Sequence, residues 1–119
     1  MSRPLTPPEA ASALRRGKPV EQFVSLSDGR LTFLTATPSR GRFNLSRHVV
    51  HDQGSEYFVD ITEFAPVDED EHFGEGVVVA DFGDPDAAVA AAGEHGGTRD
   101  GWVNFGVAAS VYWAAKHQG

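Results

Sequence analysis

Four segments rich in β-branched and aromatic residues follow one another closely: Val20 to Ser25, Leu31 to Thr37, Phe43 to Val50 and Tyr57 to Phe64. Composition of this kind fits a pleated, half-buried surface, and the period of two sets each segment as a strand. The clusters between them, Ser27-Asp28-Gly29, Pro38-Ser39-Arg40-Gly41 and Asp52-Gln53-Gly54-Ser55, all carry turn chemistry. Strands joined by such short connections form an antiparallel meander. In the third segment Phe43, Leu45, Arg47 and Val49 alternate with Asn44, Ser46, His48 and Val50. One face of the sheet is therefore largely polar, and it is expected to stay open to solvent or to a partner.

Helices are predicted on either side of this meander. Thr6-Pro7-Pro8-Glu9 combines a capping hydroxyl, proline suited to the first turn and a glutamate placed to complete a capping box, with Leu5 positioned to staple onto Ala10. That helix is expected to reach about Arg16, with Gly17 as its left-handed stop and Pro19 preventing resumption. After an exposed loop from Ala65 to Gly76, Val77 to Phe82 reads as a fifth strand. Asp84-Pro85-Asp86 opens a second helix, running to about Glu94 before Gly96-Gly97. Trp102 to Phe105 reads as a short extended piece and Val107 to Lys116 as a final helix. The expected architecture is α+β: an antiparallel meander of about five strands, with an N-terminal helix and two C-terminal helices packed on one face. A chain of 119 residues has room for one core. Residues 6–117 are read as a single domain after a disordered N-terminus over residues 1–5.

Charge is segregated along the chain. Residues 1–51 sum to +5, residues 52–86 to −12 and residues 87–119 to zero, and no lysine or arginine lies between Asp52 and Asp86. Such asymmetry speaks of partners, not of fold. A phosphate backbone would be repelled by the acidic part, and the basic residues form no block, so nucleic acid is not an expected partner. The chain lacks cysteine, which excludes disulfides and thiolate metal sites. No apolar run approaches membrane-spanning length, and a cytoplasmic location is expected.

Few residues carry the pattern of a chemical site. His48, His51 and Asp52 offer metal-ligand chemistry, but two histidines three apart on a strand point to opposite faces. Asp60 and Glu63 are separated in the same way. Asp60 shares a face with apolar neighbours, so a cross-strand arginine, Arg47 or Arg42, is its expected partner. Asp68-Glu69-Asp70-Glu71 lacks calcium-loop spacing and reads as an exposed loop that presents negative potential to a basic partner. Trp102, Phe105, Tyr112 and Trp113 cluster near the C-terminus, mostly as core, with Trp102 and Trp113 as candidate interface anchors if exposed. No nucleotide loop or nucleophile elbow occurs, and no cofactor or metal is called for.

A small cysteine-free α+β domain with an acidic surface and no catalytic signature resembles the immunity proteins of bacterial polymorphic toxin systems, which cover the active site of a cognate toxin. Gly17 to Phe23 and Trp102-Val103-Asn104 are also similar to segments of small uncharacterised actinobacterial proteins. The resemblance implies a non-enzymatic interaction protein that neutralises a basic partner; it carries no residue across, and it is the charge and aromatic pattern of this chain that makes Asp68, Glu69, Asp70 and Glu71 the expected contact and Trp102 and Trp113 the expected anchors. Two alternatives stand beside it. One is a ligand-binding or enzymatic domain with a pocket lined by Arg47, His48, Asp60 and Trp102. The other is a homodimer formed through the open sheet face or an edge strand.

Overall fold

A computed structural model describes residues 4–117. Its single sheet has the strands β1 (Val20–Ser27), β2 (Arg30–Ser39), β3 (Arg42–His51), β4 (Val77–Phe82) and β5 (Val103–Asn104), in the spatial order β4-β3-β2-β1-β5 with every pairing antiparallel. Three helices complete it: α1 (Pro7–Arg15), α2 (Pro85–Ala90), which runs on as a 3-10 turn from Ala91 to His95, and α3 (Ala108–His117). The chain is thus α+β, as its sequence pattern predicts. No described helix is long and apolar enough to cross a membrane.

Local chemistry accounts for the element boundaries. The Thr6 hydroxyl accepts from the Glu9 amide while the Glu9 carboxylate accepts from the Thr6 amide, closing the capping box of α1. Asp28-Gly29 and Arg40-Gly41 all take positive φ, which gives the primed turns that match strand twist and sets the β1–β2 and β2–β3 registers. Of the N-terminal residues expected to be disordered, Met1 to Arg3 lie outside the described residues. Leu5 is instead tied down: its amide donates to the Trp102 carbonyl at 2.7 Å and its side chain packs on the core.

Two expectations need correction. Tyr57 to Phe64 is not a strand. Ser55 and Phe58 close a tight bridge, and Asp60 then caps a 3-10 turn over Ile61–Glu63, so the fifth strand of the sheet is the short piece Val103–Asn104. Nor do all the helices share one face. Leu34, Ala36 and Leu45 point into a core with α1, α2 and Trp102, whereas Leu31, Phe33 and Val50 point into a second core with α3, Ile61 and Phe64. β2 is buried along most of its length because both its faces are covered. A bulge between Phe23 and Ser25 in β1 lets Val24 join the first core and Leu26 the second.

The polar face of β3 is accordingly not open. His48 is 3% exposed, and its ring lies between the Phe33 ring and Gly76 of the incoming β4 connection. A Cβ on Gly76 would sit 2.7 Å from the imidazole, so only glycine permits this approach.

Candidate functional site

Residues 52–76, between β3 and β4, hold much of the acidic charge together with the exposed rings of Tyr57, Phe58 and Phe73. Their path is fixed from below. Ile61 and Phe64 are buried in the second core, Phe64 meeting Tyr112 edge-on at 5.5 Å. The Val67 amide donates to the Val49 carbonyl and the His51 amide to the Ala65 carbonyl, so residues 65–67 run beside the end of β3. At the start of the segment Asp52 accepts hydrogen bonds from the Tyr112 hydroxyl and from Lys116 Nζ, the latter at 2.9 Å, and the Gly54 carbonyl takes a second Lys116 bond. Burial opposes ionisation of Asp52, yet these donors outweigh it and hold the carboxyl below its ordinary range. Lys116 is raised in return, first by its hydrogen bond to Asp52.

With both flanks anchored, the middle of the segment stands out from the body. Asp68, Glu69 and Asp70 are exposed and Glu71 partly so. The Asp68 side chain accepts from the Asp70 amide at 2.9 Å, a local turn that leaves Glu69 and Asp70 exposed. Among the described residues no lysine or arginine pairs with any of the four. Phe73 follows at 61% exposure, and the chain then enters β4, an edge strand with Val77 and Val78 about half exposed. An acidic turn without a lysine or arginine partner is thus followed in the chain by an exposed phenyl ring and by an edge strand whose half-exposed Val77 and Val78 leave opposite faces of the sheet. Exposed apolar groups bordered by charge are the makings of an interface.

The residues singled out from the sequence are dispersed by the fold. Asp68 to Asp70 lie on an exposed loop, with Glu71 partly buried beside them. Trp102 is no anchor: it is fully enclosed in the first core, its Nε1 donating to the Val89 carbonyl at 3.0 Å. Trp113 is half-buried on α3 against Tyr112 and His117. The pocket expected from Arg47, His48, Asp60 and Trp102 does not assemble. Arg47 is exposed and lies on the opposite sheet face from His48, while Trp102 is enclosed. Among the described residues Asp60 has no arginine partner either. Its Oδ1 accepts from the Thr62 amide and hydroxyl, and Arg42 pairs with Asp81 at 2.9 Å instead. Among the described residues no three histidines or carboxylates are grouped to hold a metal.

Asp60 does line a cavity, but with other neighbours. About 310 Å3 of space is bounded by Glu21, Val59, Asp60, Ile61, Thr62, Phe105, Gly106 and Ala109. Glu21 is 1% exposed, and its Oε1 accepts from the amides of Gly106 and of Ala108, the latter at 3.3 Å, at the start of α3. Burial pushes its pKa above the ordinary carboxylate value; the two amides counteract that, and the charge of Asp60 adds to it.

Sequence reasoning missed both Glu21 and Phe73. A signal existed for Phe73, an aromatic ring between His72 and Gly74 in a charged loop, where no core-facing period can claim it. For Glu21 the signal was fainter: in Val20-Glu21-Gln22-Phe23 a charged or amide side chain falls on each face. In comparisons with known proteins, no family model, no curated protein and no solved structure matches this chain.

Proposed function

We propose that this chain is a non-enzymatic binding protein that engages a basic protein partner through the acidic turn Asp68–Glu71 and an apolar patch centred on the exposed Phe73 that follows it. The observation that carries this reading is that, among the described residues, none of the four carboxylates is paired with a lysine or arginine. Elsewhere in residues 52–86 Asp52 holds Lys116, Asp60 and Asp84 cap turns, Asp81 meets Arg42 and Asp86 meets Arg15, while Glu56, Glu63 and Glu75 stand singly, so among the described residues only the turn sets four unpaired carboxylates in succession. The four carboxylates of the turn raise the local negative potential, and only Asp68 has a structural contact besides, the Asp70 amide. Such a surface accelerates encounter with a basic partner and discriminates against acidic ones. Phe73 supplies the desolvated anchor that slows dissociation once contact is made.

Neutralisation of a basic toxin is the most concrete form of this function. Capture of a partner from the native host, followed by kinetics on the purified pair, tests it. Replacing Asp68, Glu69, Asp70 and Glu71 by their amides should lower the association rate by roughly tenfold or more at low salt and flatten its salt dependence. Replacing Phe73 by Ala should act mainly on dissociation. Association of the amide variant at the wild-type rate overturns the reading. So does sedimentation showing that the patch serves self-association of the chain.

A further inference from the structure

The cavity beside α3 has a property that a structural core does not need. Glu21 sits on β1 between Thr35 of β2 and Val103 of β5, neither of which is charged. Its Oε1 satisfies the amides of Gly106 and Ala108, which the start of α3 would otherwise leave unpaired, and neither amide bonds to Oε2. A neutral amide side chain would serve those two donors equally well and avoid burying a charge. The carboxyl instead forms part of the lining of a hole of about 310 Å3 whose other walls include Val59, Ile61, Phe105 and Ala109. Asp60, at the exposed rim of the same hole, lies close enough for its charge to oppose ionisation of Glu21. Among the described residues no lysine, arginine or histidine lines the space.

Two carboxyl groups thus face one apolar cavity without a counter-ion. The hole lies at the small end of the range for ligand pockets. Its exposed Phe105 ring offers a flat wall at the mouth. From this geometry we infer that the cavity is a binding site for a small organic cation, a primary ammonium or amidinium on a compact apolar body. The cationic head meets Glu21 and Asp60, and the body packs on Val59, Ile61 and Phe105. The head replaces the repulsion between the two carboxyl groups by attraction to both, and a charge-assisted hydrogen bond occupies the free Glu21 oxygen. This site is separate from the acidic turn, and it stands whether or not that turn binds a protein.

Full-length protein labelled with nitrogen-15 provides the test, with benzylamine and benzamidine as cationic probes and benzyl alcohol and benzoate as neutral and anionic controls. The cations should shift the Gly106, Ala108 and Thr62 amides saturably at concentrations up to about 20 mM, with benzyl alcohol about tenfold weaker and benzoate without effect. Glu21→Gln keeps the acceptor for both α3 amides, so its spectrum away from the cavity should match wild type while cation binding weakens by about tenfold or more. Asp60→Asn, which still caps the 3-10 turn, should weaken binding by about threefold. Binding near pH 5 should release protons, since a cation favours the ionised carboxylate, and Glu21→Gln should abolish that release. Absence of saturable shifts with either cation overturns the inference. Equal binding of benzyl alcohol, or undiminished cation binding by a folded Glu21→Gln, does the same.

Discussion

The imidazole of His48 lies flat against the phenyl ring of Phe33, with centroids 4.3 Å apart and planes within 5°. The two are register partners on β3 and β2, and the His48 Nε2 meets the Thr35 hydroxyl at 2.9 Å. Stacked, covered and bonded to a neutral hydroxyl, the ring has no anion to stabilise a positive charge. Burial lowers its pKa from 6.5 to about 4.

A pH dependence of folding follows. The unfolded chain takes up a proton at this histidine before the folded one does, so stability falls with pH. The contribution of the neutral ring is complete above pH 6.5 and is lost as pH drops toward about 4. The shift corresponds to roughly 3 kcal/mol. Urea unfolding at pH 7, 5.5 and 4.5 should show a steeper decline for wild type than for His48→Gln. Asp52, whose pKa is lowered in the fold, adds its own loss only as pH falls through and below 3.8, outside that window. Parallel curves for the two proteins would show that His48 does not control the slope.

His48 also marks the limit of what the sequence discloses. The alternation of β3 identifies which residues share its face, and the structure keeps those assignments. Whether a face is covered depends on segments distant in the chain, and of the covering residues here, Gly76, Ile61 and Phe64, the last two lie in a stretch whose own pattern misleads. Tyr57 to Phe64 has strand composition, yet Asp60-Ile61-Thr62-Glu63 has an acid placed to cap and a second acid three residues on. The capping interaction, with Ile61 and Phe64 turned inward together, prevails over β propensity. Helix starts, by contrast, depend on neighbours within one turn, so Thr6 and Asp84 are legible at once. The acidic turn was visible for the same reason: four consecutive charges cannot be buried in any fold of this size. The Glu21 cavity was not, because it is assembled from β1, the 59–62 turn and the start of α3.

The tether at the start of the acidic segment should be sensitive to single atoms. Gly54 donates its amide to the Tyr112 hydroxyl at 3.0 Å, and a Cβ at Gly54 would collide with that hydroxyl. Tyr112→Phe removes a donor to Asp52 and an acceptor for Gly54, at an expected cost of about 1–2 kcal/mol. Gly54→Ala in wild type should cost more than the same substitution in Tyr112→Phe, since the colliding oxygen is then gone. A double-mutant cycle by chemical denaturation measures this coupling. Additive effects would mean that the loop does not depend on the contact.

Glu21 should produce a slope opposite to that of His48. Its pKa is raised by burial, partly offset by the amides of Gly106 and Ala108. Its favourable contribution is therefore full below the unfolded value of 4.5 and is lost as pH rises through the folded value. Glu21→Gln retains an acceptor for both amides and carries no charge, so it should be more stable than wild type at pH 7.5, with the advantage shrinking toward pH 4.5. Thermal unfolding across that range reports the difference. Equal stability at both ends would show that the carboxyl carries no burial penalty.

The acidic turn gives the opposite kind of prediction, an absence of structural cost. Asp68 holds the Asp70 amide through one oxygen, and asparagine preserves that acceptor. Glu69, Asp70 and Glu71 have no basic partner among the described residues, so conversion of all four to amides removes only mutual repulsion. The unfolding free energy should stay within about 0.5 kcal/mol of wild type, or rise slightly at low salt where screening is weakest. Asp52→Asn is the contrasting case: it weakens charge-assisted bonds from Lys116 and Tyr112 and should cost about 1–2 kcal/mol. Chemical denaturation of the two variants side by side separates a carboxylate that holds the fold from carboxylates that do not. A loss of about 1 kcal/mol or more in the amide variant would place the turn among the structural elements. The proposed binding surface would then lose the observation it rests on.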